Sequence, residues 1–503
     1  MPTPNSSPSD VRTHNNFING QWTPSDSGRT YSVYNPAHKN TLLGHFQLSN
    51  PEDTLRAVAA AAEAAAGWAD TPAPVRAQVL FRALEIMERR SDEIARTITE
   101  EEGKPLPDAR GEVKRAMNIM EYAAGEGRRM FGYTTPSELP NTVAYTVRRP
   151  LGVVGIITPW NFPIAIPAWK MAPALICGNA MIFKPASSTP LCAVKLTEVF
   201  EEAGVPPGVL NLITGPGGSV GNALVESPDV TGISFTGSTE IGTELYTRGA
   251  SLLKKVQAEM GGKNAVILLA DADLDKALGG IVQGAFGSTG QRCTATSRVI
   301  VEDGVYDQFM EELIERTSKL TIGDGLDEGI DVSPLSSESQ QRTVSDYITA
   351  GRDEGATLAF GGRTLHGGIY DEGWYVEPTI FTDVDPEMRI AREEIFGPVL
   401  TVFRARDLDH AVEISNSVKF GLSSSVYTRD IPRAFRYINT VDAGMVHVNA
   451  PTLGGEVHLP FGGLKASGVG QREQGVEAVD FFSEVITVYI DYADEARAQA
   501  RFI

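Results

Sequence analysis

Between residues 150 and 270 short β-rich runs alternate with helical ones, and this alternation constrains the fold more than any other feature of the chain. The runs GVVGIIT, NAMIFKP, GVLNLIT, GISFTG and KKVQAEM are bounded by Gly and Pro and separated by segments with helical spacing. Such alternation predicts parallel βαβ units, because parallel neighbours must be joined by a crossover. A helix is marked by SSTPLCAVKLTEVFEEAG, with Ser/Thr caps, Pro190 near its first turn and Gly204 as its stop. Another opens at GSTEIG, where Gly237 and Ser238 follow a strand and the first amides of the helix can face an anion.

A second alternating block spans about 260 to 450, with NAVILLA, SRVIVED, TVFRA, LSSSVYT and AGMVHVNA as its strands. Upstream, RAVAAAAEAAAGW follows NPED and predicts a helix with Asn50 as N-cap and Pro51 at N1. Two ribbon-like stretches, TVAYTVRRPLG at 142–152 and SEVITVYIDY near the C-terminus, fall outside both blocks and are candidates for pairing across subunits. The fold class expected is therefore α/β. A length of 503 with 42% hydrophobic residues allows two or three sub-structures around substantial cores.

Three cysteines are too few for a disulfide framework, which points to a reducing, cytoplasmic setting and leaves thiol chemistry open. The first residues, MPTPNSSPSDVRTHNN, lack the apolar core of a secretory signal and read as a short flexible tail. No apolar run is long enough to span a bilayer. The net charge of −20 disfavours nucleic acid and anionic membrane as partners. Of 44 basic residues 13 are Lys and 31 Arg. An acidic, lysine-poor surface suits a salt-loving cytoplasm, and drift toward Arg in a high-GC genome explains it equally well.

Three features carry candidate chemistry. Cys293 in TGQRCTATS follows a stretch with two glycines at a loop or helix start, where Arg292 and helix N-terminal amides would lower its pKa. The plain alternative is a buried small hydrophobe, and that reading holds for Cys177 and Cys192 on apolar helix faces. Glu259 in VQAEMGGKN is a carboxylate at a strand end, either a desolvated base or a solvated terminus. Asn161 in TPWNFP is held by two prolines and a Trp, so its amide is a stiff oxyanion donor or part of a packed turn. GPGGSVG at 215–221 misses the G-x-G-x-x-G spacing by one residue, so the usual dinucleotide fingerprint is absent.

Taken in order, TPWNFP, KPASSTP, FTGSTEIG, EMGGKN, GQRC, EEIFGP and PFGGLKASGVGQRE resemble the NAD(P)-dependent aldehyde dehydrogenase superfamily from about residue 17 to about 490. The steps of 34 residues from Glu259 to Cys293 and 23 from Asn161 to Lys184 fit that pattern. Within it, TGQRCTATSRVIV and NAPTLGGEVHLPFGGLKASG resemble the α-ketoglutarate semialdehyde (2,5-dioxopentanoate) dehydrogenases of pentose and sugar-acid degradation.

The resemblance implies a Rossmann-like cofactor domain lacking the standard fingerprint, an α/β catalytic domain and a β-ribbon for oligomerisation. The implied segments are a tail at 1–14, a cofactor-binding domain at 15–131 and 151–260, and a catalytic domain at 261–450. The ribbon would be 132–150 and 480–503, with 451–479 returning to the cofactor domain, and the assembly a homodimer or homotetramer. Cys293 would be the nucleophile, Glu259 the general base and Asn161 the oxyanion donor. Lys170 would assist proton transfer or serve as a structural salt-bridge lysine.

For the cofactor, NADP or NAD, the resemblance implies Ile157, Thr158, Pro159 and Trp160 along the first strand end and Lys184, Ala186 and Ser187 at the second. It adds Gly217 and Gly221, then Phe235, Gly237, Ser238 and Ile241 around the anion site. Met260, Gly261, Glu394 and Phe396 complete the set. Ser187 stands where NAD-selective relatives often carry Glu, and without that carboxylate a 2′-phosphate is not repelled, so dual use is expected.

Arg292 is the candidate for holding a substrate carboxylate, or else it anchors the loop behind Cys293. No metal is expected. Other substrates compatible with the motifs are succinic semialdehyde, glycolaldehyde and aromatic aldehydes. CoA-acylating oxidation is disfavoured by the base at Glu259, a Cys hydrolase by the lack of a suitable His stretch, and a non-catalytic binding role by the presence of both nucleophile and base.

Overall fold

The computed structural model describes residues 12–493. Within them, fifteen α-helices accompany five sheets, two large ones of eight and seven strands, two of three strands and one of two strands, an α/β architecture. The first large sheet has eight strands, in the order Gly468–Val469, Lys255–Glu259, Val230–Thr236, Val153–Ile157, Ala180–Lys184, Leu210–Leu212, Asn16–Ile18 and Gln21–Thr23. The run from Lys255–Glu259 to Leu210–Leu212 is parallel throughout, as the alternation predicts. Antiparallel strands close both edges, Gly468–Val469 at one and Asn16–Ile18 with Gln21–Thr23 at the other.

The second sheet has seven strands, ordered Thr357–Phe360, Thr379–Thr382, Val399–Ala405, Thr296–Glu302, Asn264–Leu268, Ser423–Tyr427 and Met445–Val448. All its pairings but the first are parallel.

The start signals read from the sequence act as expected. Asn50 caps the helix Pro51–Asp70 with a capping box closed by Asp53, and Ser238 caps Thr239–Ser251 by accepting from the Ile241 N–H. Thr189 precedes Pro190 at the start of Pro190–Glu202 but makes no side-chain cap bond.

One expectation needs correction. Residues 13 and 14, read as tail, form a strand paired in parallel with His45 and Phe46, because the His14 ring stacks on Phe46 at 4.9 Å and gives the segment an anchor. The rest of that tail, 1–11, and the end of the expected ribbon, 494–503, lie outside the described residues. The two ribbons pair with each other within the chain. Ser483–Asp491 runs antiparallel to Thr142–Pro150 over nine residues, with Thr134–Pro136 on the far side. Each saturates the other's hydrogen bonds locally, and only the outer edges of the small sheet are left open.

One helix matters most for the site. Every residue of Ala165–Cys177 is buried, so this segment carries Lys170 and Trp169 through the core, between the first sheet and the helix Leu106–Glu126. Cys177 and Cys192 are buried on helices, as read.

Candidate active site

The chain reaches Cys293 by a sharp reversal. After the helix Leu274–Phe286, Ser288 and Thr289 take left-handed backbone angles (φ 48° and 58°), and Gly290 does the same at φ 68°. A Cβ at Gly290 would lie 2.2 Å from the Gly397 carbonyl, so only glycine fits there. Cys293 then sits in a turn ahead of the strand Thr296–Glu302, its carbonyl held by the Asn264 amide at 2.8 Å.

This geometry overturns the expected activation of the thiol. No helix begins at Cys293, and the Arg292 guanidinium turns to Asp108 at 2.8 Å and Ser288 at 2.7 Å. Burial pushes the thiol up to about 12, and the carboxyl groups of Glu394, Glu259 and Glu473 add to the rise. Burial and these carboxyl groups thus favour the thiol over the thiolate.

Cys293 lies where two cavities meet. The first, of about 430 Å³, is also lined by Asn161, Lys184, Ser238, Glu394 and Phe396. Asn161 follows the strand Val153–Ile157 and donates one N–H of its amide to the Gln291 carbonyl at 3.1 Å; Lys104 grips its backbone carbonyl from behind. Lys184 ends the next strand, where burial lowers its amine to about 8, and its Nζ donates to the Pro185 carbonyl at 2.8 Å.

Glu394 accepts from the Gly262 N–H at 2.8 Å, and burial raises its carboxyl to about 7. A Cβ at Gly261 would come within 2.2 Å of that carboxylate, which explains the glycine. Phe396 packs edge-on to Trp160, centroids 5.4 Å apart.

The rest of the expected cofactor set, Ile157, Thr158, Pro159, Phe235, Gly237, Ile241 and Met260, lines the same cavity. Ala186, Ser187, Gly217 and Gly221 do not line it. Ser187 instead donates to the Gly215 carbonyl at 3.0 Å, and the two glycines belong to the π-helical turn Gly217–Gly221, whose Val220 is buried in the core. Gln340 and Thr343, contributed by the helix Glu338–Asp353, were not foreseen, and no local motif marks them. The buried Thr158 hydroxyl has no partner among the described residues, and Gly237 and Ser238, at the start of the helix Thr239–Ser251, line the cavity. An unpaired hydroxyl, a helix N-terminus and a buried amine together suit the sugar hydroxyls and phosphates of a dinucleotide.

The second cavity, of about 300 Å³, is bounded by the helix Leu106–Glu126, by Phe162, Trp169 and Phe461, and by Gln283, Arg292 and Thr294. Arg292 lines it, but Asp108 opposes its charge.

Glu259 ends the strand Lys255–Glu259 and is 2% exposed, yet its carboxylate faces neither cavity. It accepts from the Gly463 N–H at 3.2 Å, and a Cβ at Gly462 or Gly468 would crowd it at 2.2 and 3.1 Å. Burial and the neighbouring Glu473 hold its carboxyl well above the usual range.

Behind it lies a residue the sequence reading missed. Glu473 receives Lys170 as an ion pair, the Trp169 indole N–H at 2.6 Å and the Thr236 hydroxyl at 3.3 Å. Its signal was available, since Glu473 closes the stretch PFGGLKASGVGQRE. Lys170 also donates to Ser234 at 2.9 Å, and burial lowers its amine. A half-buried thiol, a stiff amide and a carboxylate backed by a second carboxylate and an amine can add to a carbonyl, hold the oxyanion and move a proton.

A model of the aldehyde dehydrogenase family matches residues 22–488. The chain is 48% identical over 478 residues to an alpha-ketoglutaric semialdehyde dehydrogenase of Bacillus subtilis, covering 95% of this chain and 98% of that one. Among solved structures it is similar to an NAD-dependent aldehyde dehydrogenase from Sinorhizobium meliloti, with TM-score 0.94, 36% identity and 97% of each chain covered. It is also similar to an NADP-dependent enzyme of E. coli, with TM-score 0.92, 38% identity, and 96% of this chain and 99% of that one covered.

Proposed function

Since the chain belongs to the aldehyde dehydrogenase family, we propose that it oxidises α-ketoglutarate semialdehyde (2,5-dioxopentanoate) to 2-oxoglutarate, using NADP or NAD. The observation that carries this reading is the position of Cys293 between two cavities, one fitted for a dinucleotide and the other open to an aldehyde. The substrate is supported by the 48% identical relative.

In the proposed mechanism the Cys293 sulfur adds to the aldehyde carbon, and the thiol proton passes to solvent water as the C–S bond forms. The alkoxide is met by the Asn161 amide and the Cys293 backbone N–H. Lys184 would hold ribose hydroxyls, the amides at Gly237 and Ser238 the pyrophosphate, and Glu394 with Phe396 the nicotinamide ribose. When bound, the dinucleotide supplies the hydride acceptor that leaves a thioester on Cys293. Glu259 then deprotonates the water that cleaves this thioester, which requires its carboxylate to leave the Gly463 amide and turn toward the sulfur. Lys170 and Glu473 lie behind it to take up the proton or to fix its position.

Dual cofactor use is supported by the hydroxyl, rather than carboxyl, at Ser187. We place the enzyme in the cytoplasm as a homo-oligomer acting in pentose or sugar-acid degradation. Three free cysteines support the first point, and the exposed Val485, Tyr489 and Ile490 on the small sheet support the second.

The test is the rise in absorbance at 340 nm with NADP+ or NAD+ across α-ketoglutarate semialdehyde, succinic semialdehyde, glycolaldehyde and benzaldehyde. The highest kcat/KM is expected with the first. A higher value with any other aldehyde would replace the substrate, and no reduction with any of them would remove the function.

A further inference from the structure

Asp108, Gly111, Glu112 and Arg115 all line the cavity of about 300 Å³ at Cys293, and their spacing of three, four and seven residues places them on one face of the helix Leu106–Glu126. Their charges are not equally satisfied. Asp108 is paired with Arg292 at 2.8 Å. Glu112 is paired with Lys104 at 2.8 Å and also accepts from the Ile164 and Ala165 N–H groups. Of the three charged residues on this face, Arg115 alone makes no ion pair among the described residues, and the Glu456 carboxylate acts on it only through space. Its guanidinium donates to two neutral acceptors, the Gly455 carbonyl at 2.6 Å and the Gln474 side-chain oxygen at 3.1 Å, and lies 5.7 Å from the centre of the Trp169 ring. Among the described residues no carboxylate forms an ion pair with it.

We propose that Arg115 is the residue that grips the far carboxylate of the aldehyde substrate, an inference that rests on the oxidation of a semialdehyde acid proposed above. Arg292 is paired with Asp108 and Lys104 with Glu112, so the Arg115 guanidinium is the cation on this wall left to meet a carboxylate. A guanidinium with three of its five N–H groups left over offers the paired donors that a carboxylate accepts. Burial lowers the pKa of the Arg115 guanidinium, with Cys293 and Glu456 opposing the shift, so added negative charge beside it is favoured. Gln283 and Thr294 on the same cavity wall supply neutral donors for a carbonyl group between the two ends of the substrate.

Arg292, the cation favoured by the sequence, is the weaker candidate because a substrate carboxylate would have to compete with Asp108. Arg115 is a specificity residue rather than part of the bond-making machinery, so it should affect KM and leave kcat nearly alone.

The experiment compares wild type, Arg115→Leu and Arg115→Lys on α-ketoglutarate semialdehyde and on pentanal, which has the same chain length and no carboxylate. In Arg115→Leu, KM for the semialdehyde acid is expected to rise about 10- to 100-fold, the effect of a lost charged hydrogen bond. Its kcat should stay within about threefold, and KM for pentanal should be unchanged or lower. Arg115→Lys should fall between, since it keeps the charge and loses the planar fork. If Arg115→Leu does not fold, the same ratio is read from Arg115→Lys. An equal loss on both aldehydes, or no change on either, overturns the assignment. Wild type oxidising pentanal as efficiently as the acid overturns it too, while leaving aldehyde oxidation standing. Wild type oxidising neither removes the underlying function.

Discussion

The two cavities that meet at Cys293 are assembled differently. One takes much of its wall from strand ends and the turns that follow them, at Ile157, Lys184, Phe235 and Met260. The other takes its wall from one face of a helix, from Gln283 on a second helix and from loops at 451–454 and Phe461. Parallel strands end side by side, so short motifs that follow each strand converge without further instruction. Loops brought together only by the packing of two sheets carry no such signature. The cofactor side was therefore legible as a list of residues, whereas the substrate side was reduced to a guess at Arg292.

The sharpest way to break this comparison is at the shared point. Cys293→Ala is expected to lower turnover at least about a thousandfold, because no thioester can form. Retention of more than about a tenth of wild-type turnover would remove the sulfur from the reaction.

Next, Glu259→Gln should slow steady turnover about a hundredfold while leaving a first burst of reduced nucleotide, measured by stopped flow. Loss of the burst along with turnover would mean that Glu259 serves the thiol instead of the water.

The third test concerns the thiol before substrate arrives. Its raised pKa means that the thiolate fraction grows with pH, so alkylation of Cys293 by iodoacetamide should accelerate about tenfold per unit from pH 7 to 9 with no plateau. A plateau near pH 7 would show a thiol already activated in the free enzyme.

The smallest effect is expected at the edge of the cofactor cavity. Ser187→Glu should lower kcat/KM with NADP at least about tenfold and leave NAD within about twofold, through repulsion of the 2′-phosphate. An unchanged ratio would fit the position of Ser187 outside the cavity, bonded to Gly215.

Residue periodicity was enough to predict both α/β blocks, since five central strands of the first sheet were each bounded by Gly or Pro and separated by helices. The partner of a ribbon was not predictable in this way. Thr142–Pro150 and Ser483–Asp491 have patterns that many strands could match, and only the closed fold brings their ends within reach. Lys170 shows the same limit. Its helix was readable, but whether its amine meets a carboxylate depended on Glu473, some three hundred residues later.

By itself the sequence determined the α/β class and the capped helices, which follow from local steric preference, and it singled out Cys293, Asn161 and Glu259 as candidates through the resemblance of the motifs around them. The tertiary structure alone decided how their charges add up. It turned Arg292 to Asp108, left Arg115 with no ion pair among the described residues and placed three carboxyl groups near the thiol. Desolvation and Coulomb energy depend on distance through space and on exclusion of water, and neither is written in the order of residues along a chain.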